Sequence, residues 1–329
     1  MRILVTGGAG YVGSHIVRRL LEGGAAPVVL DDLSLGHLQA LSGAPLVQAD
    51  FADERALDEL LGAGDVEFIV HMAALCEVGE SMRDPAEYYR TNLTRSLALL
   101  EAARRHALRG VVFSSSAAVY GEPERVPIDE DHPQRPTNAY GETKLAFERA
   151  LTWYQRAYGL SFVALRYFNA AGAHPDGDLG EDHAVESHLI PQLLRATCAD
   201  AEPMPVFGCD YPTRDGTCVR DYVHVVDLAE AHVLALDRMR EERTVGEAFN
   251  LGNGSGFSVR EVIDVVERVV GVRPRTRDAP RRAGDPATLV ASSARAASRL
   301  GWRPRYPQLE AIVGSAWEWH RRHPHGYAS

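Results

Sequence analysis

Short apolar runs alternate with longer amphipathic stretches through the first half of the chain. Six of the runs have the length and β-branched content of buried strands, and they cover residues 2–6, 27–31, 45–50, 67–71, 110–115 and 161–166. Helical spacing of apolar residues predicts helices over residues 13–22, 53–61, 88–106 and 140–158. Strand, helix and strand repeated in this order are typical of a doubly wound parallel sheet, the Rossmann arrangement.

The alternation of predicted strands and helices becomes irregular after Asn169, where loops rich in Gly, Pro and Asp occupy residues 172–180 and 208–216. Ser258-Val259-Arg260-Glu261 precedes an apolar run and predicts a capped helix start. The pattern predicts two parts, a first lobe over residues 1–172 and a smaller α/β substrate-binding lobe over residues 173–329. Segments around 222–252 are apolar enough to return to the first lobe.

Composition narrows the possible partners. The 329 residues exceed one ordinary core, and the net charge of -10 argues against a nucleic acid, which needs a basic face. We find no run near the roughly 20 apolar residues that span a bilayer, and the first apolar run is too short for a secretion signal. We therefore expect a cytoplasmic protein with no membrane partner.

The metal-binding residue types show no familiar spacing. Cys76, Cys198, Cys209 and Cys218 form no C-x-x-C pair. His183 and His188 lack the H-E-x-x-H spacing that places two ligands on one helical face. The expectation from sequence is that there is no metal site.

A glycine run follows the first predicted strand and opens the first predicted helix. Gly7, Gly10 and Gly13 permit a tight turn and close approach of the backbone to a pyrophosphate at the positive end of a helix. The strand–turn–helix context is the one that a dinucleotide site requires.

Asp31 and Asp32 end the second predicted strand. A carboxylate at this position accepts hydrogen bonds from ribose hydroxyls and repels a 2′-phosphate. No Lys or Arg lies between Asp31 and Asp50 to bind that phosphate, so NAD is favoured over NADP. The structural alternative is a solvated Asp-Asp turn.

Tyr140 and Lys144 lie one helical turn apart on one face of the predicted helix 140–158. An ammonium about 4 Å from a phenol is worth about 4 kcal/mol at an effective dielectric near 20, or about 3 pKa units. We therefore expect the pKa of Tyr140 to fall toward neutral, where the phenol is an effective general base. The alternative is a helix surface with a lysine extended along it.

These motifs, together with three longer strings, make the chain similar to a known family. The strings are SSSAAVYG at 114–121, Arg166-Tyr167-Phe168-Asn169, and RDYVHVVDLA at 220–229. The chain resembles the extended short-chain dehydrogenases/reductases, and among them the UDP-glucose (UDP-galactose) 4-epimerase family, from its first strand to its final helix.

The resemblance implies a role for each matching residue. It assigns catalysis to Tyr140, Lys144 and Ser116. It implies NAD contacts for Gly7, Gly10, Tyr11, Val12, Gly13, Asp31, Asp32, Asp50, Phe51, Ala73, Asn92, Tyr140, Lys144 and Phe168. It implies nucleotide-sugar contacts for Ser116, Asn169, His188, Leu189, Phe207, Arg220, Arg282, Asp285 and Leu289.

The implied reaction is C4 epimerisation of a UDP-hexose, UDP-glucose or UDP-galactose, through a 4-keto sugar with transient reduction of bound NAD. Tyr140 would act as the acid/base, Lys144 would hold the nicotinamide ribose, and Ser116 would bond the sugar 4-hydroxyl. The resemblance also implies a homodimer, formed through the helices at 88–106 and 140–158.

Two departures from the family pattern leave the sugar open. Cys76 stands where many members carry a lysine near the cofactor, and Leu289 stands where a bulkier tyrosine often limits the substrate. A UDP-N-acetylhexosamine, UDP-glucuronate or a UDP-pentose is therefore an alternative substrate. Ser116-Ala117-Ala118 lacks the carboxyl groups of the related dehydratases, which argues against dehydration.

Two further alternatives concern the type of protein. A dehydrogenase with an exchanging cofactor shares Tyr140 and Lys144. A non-catalytic NAD-binding sensor shares the fold, but such proteins commonly lose the tyrosine or the lysine.

Overall fold

The computed structural model describes residues 1–242, 244–282 and 285–327. Its strands are β1 Arg2–Thr6, β2 Ala26–Asp31, β3 Leu46–Gln48, β4 Val66–His71, β5 Gly110–Ser116, β6 Ser161–Tyr167, β7 Asn169–Ala171, β8 Met204–Phe207, β9 Val219–Arg220, β10 Tyr222–His224, β11 Gly246–Leu251, β12 Phe257–Ser258, β13 Thr276–Ala279 and β14 Thr288–Leu289. Its α-helices are α1 Tyr11–Glu22, α2 Glu54–Leu61, α3 Val78–Ser81, α4 Pro85–Tyr88, α5 Ser96–Arg105, α6 Ala139–Tyr158, α7 Leu189–Arg195, α8 Val225–Glu241, α9 Val259–Val270 and α10 Leu309–Arg322. Short 3₁₀ turns occupy Leu38–Leu41 and Ala117–Val119, and π-helical turns occupy Tyr89–Arg95 and Ala296–Leu300.

A seven-stranded parallel sheet forms the centre of the molecule, in the order β11-β6-β5-β4-β1-β2-β3. The predicted doubly wound sheet is confirmed. The strand order reverses on either side of β1, which pairs with both β2 and β4. In such sheets, ligands bind beyond the carboxyl ends of the strands at the reversal, which is where the glycine turn lies.

Both faces of the sheet are buried. Along β1, Ile3 and Val5 pack on one face with α1 and α8, while Leu4 packs on the other face with α2, α5 and α6. The strands are therefore apolar at successive positions, as parallel strands covered on both sides must be. This explains why the first half of the sequence has short continuous apolar runs.

The second lobe has its own core, built from α7, α9, α10 and short strands. β8 pairs with β13, and β9 pairs with both β12 and β14. The capping box is confirmed at the start of α9: Ser258 Oγ accepts from the Glu261 backbone N–H, and the Glu261 carboxylate accepts from the Ser258 N–H.

The predicted elements differ from the structure in two places. The strand predicted over residues 45–50 extends only over Leu46–Gln48. The helix predicted over residues 88–106 is composite, since the π-helical turn Tyr89–Arg95 separates α4 from α5.

The chain returns to the central sheet after visiting the second lobe. β11 pairs with β6 along its whole length, and α8 packs against α1. The boundary near residue 172 stays a prediction. Among the described residues, no helix is long and apolar enough to cross a bilayer.

Candidate functional site

The turn between β1 and α1 has the shape of a phosphate cradle. Gly7 has φ +70°, and a Cβ on Gly13 would lie 2.1 Å from the Gly7 carbonyl oxygen, so both positions require glycine. Gly10 is the residue before the helix and makes no side-chain cap, which leaves the first N–H groups of α1 for an anion. A Cβ on Gly7 would also clash with the backbone of Ala73, so the turn packs directly on the segment after β4.

The two residues after Gly10 tie the turn to other parts of the molecule. The Tyr11 hydroxyl donates to the Gly172 carbonyl at 2.6 Å, which joins the turn to the loop after β7. Val12 packs against the core beneath the sheet. Both are at the start of α1, and their contact with a cofactor stays a prediction.

Asp31 connects the cradle to β2. Its carboxylate is buried and accepts from the backbone N–H groups of Ala9 at 3.0 Å and Leu33 at 2.9 Å. Burial raises the pKa of Asp31, and the two N–H groups oppose that shift. The remaining lone pairs are free to accept ribose hydroxyls. Asp32 is exposed and accepts from the Ser34 N–H at 2.9 Å.

Asp50 and Phe51 follow β3 but differ in the groups that they could present to a cofactor. Asp50 lies 3.2 Å from Arg95 and accepts from the Ala52 N–H. Phe51 is 8% exposed, and its ring centroid lies 5.2 Å from that of His71. The ring of Phe51 packs in the core, so any contact of this residue with adenine would be made by its backbone.

Local packing brings Tyr140 to Ser116. Asn138 caps α6 by accepting from the Gly141 N–H at 2.8 Å. A Cβ on Gly141 would lie 2.4 Å from the Ala118 carbonyl oxygen. Glycine at this position therefore allows the first turn of α6 to pack closely against the turn that follows β5. The Tyr140 phenol then lies close enough to the Ser116 side chain for that side chain to lower its pKa.

Lys144 lies beneath this pair. It is 2% exposed, and its Nζ donates to the Ser114 carbonyl at 2.8 Å. The same Nζ lies 5.7 Å from the centroid of the Tyr140 ring. Burial lowers the pKa of Lys144 to about 8.

The expected lowering of the Tyr140 pKa is wrong for the protein alone. Burial raises it well above the usual value and the Cys76 thiol raises it further, whereas the nearby Ser116 side chain lowers it. The expectation assumed a charge at 4 Å and a solvated phenol, whereas Lys144 faces a backbone carbonyl and the phenol is desolvated.

Behind the acid/base residues runs a buried polar network that the sequence reasoning missed. Glu148, one turn after Lys144 on α6, accepts from Ser115 and from Arg166, with Arg166 Nε at 2.9 Å. Arg166 Nη1 donates to the Tyr120 hydroxyl at 2.9 Å, and that hydroxyl donates to Asn250 at 2.6 Å. The network joins α6 to β5, β6 and β11, and so holds the helix that carries Tyr140 and Lys144.

Asn92 and Phe168 both lie near these residues, but in supporting positions. The Asn92 amide accepts from the Leu75 N–H and donates to the Leu75 carbonyl, each at 2.9 Å. It therefore shapes the segment that carries Cys76. Phe168 packs against a small core that Leu289 also contacts, which brings a predicted cofactor residue and a predicted sugar residue together.

A second group of predicted residues, which we call the arginine cluster, consists of Phe207, Arg220, Arg282 and Asp285. Arg220 pairs with the Asp285 carboxylate and also donates to the Val219 carbonyl at 2.8 Å. The Arg282 guanidinium lies 4.0 Å above the Phe207 ring. The Asp285 N–H donates to the Arg282 carbonyl, which joins the two pairs.

Two further predicted substrate residues lie on β7 and α7. Asn169 begins β7, and its N–H donates to the Asp221 carbonyl at 3.0 Å. Leu189 begins α7 and packs against the core of the second lobe.

His188 lies in a different environment, with Glu181, His183 and Glu186. Its Nδ1 is 2.5 Å from Glu181 Oε1 and 3.4 Å from Glu186 Oε1. Burial lowers the pKa of His183 and of His188, but the two carboxylates outweigh it and raise them to about 9 and about 11. The sequence contains a local signal for this group, the spacing E-x-H-x-x-E-x-H, which the search for H-E-x-x-H overlooked.

Known proteins resemble the chain over its whole length. Residues 3–252 match the model of the NAD dependent epimerase/dehydratase family. A relative from Halalkalibacterium halodurans, named UDP-glucose 4-epimerase, is 52% identical over 329 residues, which covers 100% of this chain and 98% of the relative.

Two solved structures show what such proteins bind. The UDP-glucose 4-epimerase of Brucella ovis, solved in complex with NAD, is 46% identical with a TM-score of 0.93 and covers 96% of this chain and 97% of its own. That of Bifidobacterium longum, solved with NAD+ and UDP, is 35% identical with a TM-score of 0.93 and covers 99% of this chain and 100% of its own.

The family match covers the segments that carry the glycine cradle, Asp31, Ser116, Tyr140 and Lys144. This chain belongs to the NAD-dependent epimerase/dehydratase family of the extended short-chain dehydrogenases/reductases.

Proposed function

We propose that this protein interconverts UDP-glucose and UDP-galactose by NAD-dependent epimerisation at C4. The observation that carries the proposal is the meeting of Tyr140, Lys144 and Ser116 at the carboxyl end of β5, in a sheet whose β1 ends in a dinucleotide cradle. Relatives named UDP-glucose 4-epimerase, and structures of such enzymes with NAD and UDP, support it.

Tyr140 moves the proton. When bound, NAD supplies a hydride acceptor and a positively charged nicotinamide ring. A positive charge beside Tyr140 favours its phenolate and lowers the pKa that burial has raised. The phenolate then takes the proton of the sugar 4-hydroxyl and later returns it to the oxygen of the opposite epimer. Ser116 holds that oxygen by a hydrogen bond, and Lys144 is the proposed contact of the nicotinamide ribose.

The arginine cluster is the proposed anchor for the diphosphate. Arg220 is buried beside Asp285, whereas Arg282 is exposed at the surface of the arginine cluster. A guanidinium binds phosphate oxygens through paired, directed hydrogen bonds. Anchoring at the diphosphate leaves the sugar free to present either face to the cofactor, which epimerisation requires.

Incubation of the purified protein with UDP-glucose, UDP-galactose, UDP-N-acetylglucosamine or UDP-glucuronate, without added NAD, tests the proposal. We expect UDP-glucose and UDP-galactose each to yield a mixture of the two, because NAD is regenerated in every cycle. A protein that binds NAD and leaves all four sugars unchanged would instead be a sensor. Conversion only with continuous NAD consumption would indicate a dehydrogenase.

A second candidate substrate follows from Leu289. This side chain and that of Phe168 each pack against a small apolar cluster that includes Val119, and leucine is smaller than tyrosine. A UDP-N-acetylhexosamine is therefore the alternative sugar class. Leu289→Tyr should reduce turnover of UDP-N-acetylglucosamine more than that of UDP-glucose, and Leu289→Met is the matched control. Equal effects on both sugars would remove Leu289 from the specificity argument.

We also propose a homodimer formed through α5 and α6. Trp153 is 64% exposed and Tyr158 is 59% exposed on α6, which is unusual for large aromatic side chains on a folded monomer. Light scattering of the wild type and of Trp153→Glu tests this. A dimeric wild type and a weakened variant support the interface, and a monomeric wild type contradicts it.

The cytoplasmic location and the lobe boundary near residue 172 stay predictions. Cys76, Cys198, Cys209 and Cys218 are all free thiols, which suits a reducing compartment. Imaging of a tagged protein and limited proteolysis would test the two points separately.

A further inference from the structure

Four side chains with metal-binding atoms converge in the segment that leads into α7. They are Glu181, His183, Glu186 and His188, and one ligand atom from each lies within 4.8 Å of the others. The proposed reaction uses His188 only as a sugar contact and gives the other three no role. We propose that these four residues form a binding site for one divalent cation of the zinc type.

Three distances between candidate ligand atoms are close to the edges of a tetrahedral site, and they involve both oxygens of Glu186. His183 Nδ1 lies 3.4 Å from Glu181 Oε1 and 3.5 Å from Glu186 Oε2, and His188 Nδ1 lies 3.4 Å from Glu186 Oε1. A tetrahedron with metal bonds of about 2.0 to 2.1 Å has edges of about 3.3 to 3.4 Å. The 2.5 Å contact between Glu181 Oε1 and His188 Nδ1 is shorter than such an edge and must lengthen on binding.

Three of the candidate ligand atoms are buried and lack hydrogen-bond partners among the described residues, while the His188 side chain as a whole is 42% exposed. The side chains of Glu181 and Glu186 are 4% and 1% exposed. Within the described residues, Glu181 Oε1, Glu186 Oε2 and His188 Nδ1 have no partner at hydrogen-bonding angles, although they lie close to one another. A buried carboxylate oxygen without a partner is costly, and a cation at the centre of the group would satisfy these three atoms at once.

The backbone around the group is already fixed. Glu186 Oε1 accepts from the His188 N–H at 2.7 Å, which curls the segment so that both side chains point inward. Trp319 Nε1 donates to the Glu181 carbonyl at 3.2 Å, and the Gln192 amide donates to the Glu186 carbonyl at 2.9 Å. Such support of ligand-bearing residues is typical of protein metal sites, since it orients the ligands before the ion arrives.

The donor set selects the class of ion. Two carboxylates balance the charge of a dication, and two imidazoles are ligands that Zn²⁺ accepts, whereas Mg²⁺ and Ca²⁺ prefer sites built from oxygen alone. A nearby group, His174, Asp176 and Asp178, lacks the same burial, because both aspartates are exposed and both pair with Arg18. That group is the natural comparison within the same chain.

The location suggests what the ion would do. The His183 ring meets the edge of Tyr11, which starts α1 at the dinucleotide cradle, at 6.4 Å between centroids. His188 is the residue before α7 of the second lobe. A bound ion would therefore fasten the segment between the cradle and the second lobe. This inference does not depend on the proposed reaction, because metal binding is measured without turnover.

The test uses the full-length protein with its cofactor, freed of metal by a chelator and titrated with Zn²⁺ against a competing indicator. We expect one high-affinity Zn²⁺ per chain, and a loss of affinity of about 100-fold in Glu181→Gln and His183→Gln. His174→Gln, the matched control at the neighbouring group, should retain wild-type affinity. Circular dichroism establishes that each variant is folded.

A second measurement needs no variant. X-ray absorption of the Zn²⁺-loaded wild type should show four light ligands at about 2.0 to 2.1 Å, with the scattering pattern of two imidazoles. An oxygen-only shell, sulfur ligands, or no retained Zn²⁺ would overturn the proposal. So would unchanged affinity in Glu181→Gln, or loss of the ion in His174→Gln.

Discussion

The acid/base residues and the arginine cluster hold their polar atoms in different ways. Lys144 is buried, and its ammonium bonds a backbone carbonyl of β5. In the arginine cluster, Arg220 also bonds the Val219 carbonyl, but its charge is paired with the Asp285 side chain, and Arg282 lies over the Phe207 ring. Backbone partners belong to the sheet and cannot leave, whereas side-chain partners can be exchanged for a ligand.

The difference between backbone and side-chain partners matches the two proposed tasks, proton transfer and diphosphate binding. Proton transfer requires donor and acceptor within hydrogen-bond reach in every cycle, so the groups that perform it are best fixed by the sheet itself. Anchoring a diphosphate requires cations that are held until the anion arrives and can then turn to it. The predictions below test this division, from the largest expected effect to the smallest.

Removal of the Tyr140 hydroxyl should have the largest effect. Tyr140→Phe keeps the ring and its packing but cannot carry a proton, so turnover should fall by about 10² to 10⁴. Turnover and bound NAD are measured on the same preparation, and NAD content should remain at the wild-type level. Wild-type turnover in this variant would refute the assignment of Tyr140.

The support behind the acid/base residues should matter for stability. Glu148 and Arg166 form an ion pair with side chains 8% and 4% exposed, so Glu148→Gln leaves a buried guanidinium without its counter-charge. We expect a loss of about 3 to 5 kcal/mol in the free energy of unfolding, measured in urea.

The matched control is an exposed ion pair. Glu310, paired with Arg268 at 2.6 Å, is 55% exposed, and Glu310→Gln should cost less than about 1 kcal/mol. Equal costs for the two substitutions would mean that the network does not hold α6 in place.

Arg220→Lys should separate binding from turnover. The lysine keeps the charge but loses the guanidinium fork, so KM for the UDP-sugar should rise by about 10-fold with little change in kcat. Arg268→Lys is the control at an exposed pair. An equal fall in kcat and kcat/KM would place Arg220 in proton or hydride transfer and break the division between the two groups.

A prediction outside this division concerns the pH dependence of stability. His232 is fully buried beneath Tyr167, whose hydroxyl bonds Ser114, and burial lowers the pKa of His232 to about 4. Between pH 7 and pH 5, His232 becomes protonated in the unfolded chain but stays neutral in the folded chain. The free energy of unfolding is therefore highest above about pH 6.5 and decreases as the pH falls. At pH 5 the loss from His232 alone is about 2 kcal/mol.

Replacement of this histidine checks the sign. His232→Phe should flatten the decline in unfolding free energy between pH 7 and pH 5 by about that amount, and His325→Phe, at an exposed position, should not. A decline as steep as in the wild type would show that His232 is protonated in the folded protein.

The sequence revealed those features that depend on local pattern. Apolar runs predicted the strands because both sheet faces are buried, and Gly7 and Gly13 predicted the cradle because its turn admits no side chain there. The Tyr140 and Lys144 spacing predicted their shared face on α6.

Features that depend on three-dimensional burial could not be predicted in the same way. The pKa of Tyr140 rises because the phenol is desolvated, which no spacing reveals. Glu148 meets Arg166 across α6 and β6, far apart in the chain. The π-helical turn at Tyr89–Arg95 leaves the apolar pattern of a helix almost unchanged, so the pattern predicted one continuous helix.

The position of β11 at the edge of the sheet has a consequence for synthesis of the chain. β6 is complete at Tyr167, but its partner β11 begins only at Gly246, roughly 80 residues later. At ribosomal rates of about 5 to 20 residues per second, the edge of β6 waits about 4 to 16 seconds for its neighbour. During that interval the nascent sheet exposes a row of unpaired backbone groups, the kind of edge at which chains join to one another. Translation speed through the second lobe, rather than the stability of the finished protein, would then limit how much of it reaches the native state.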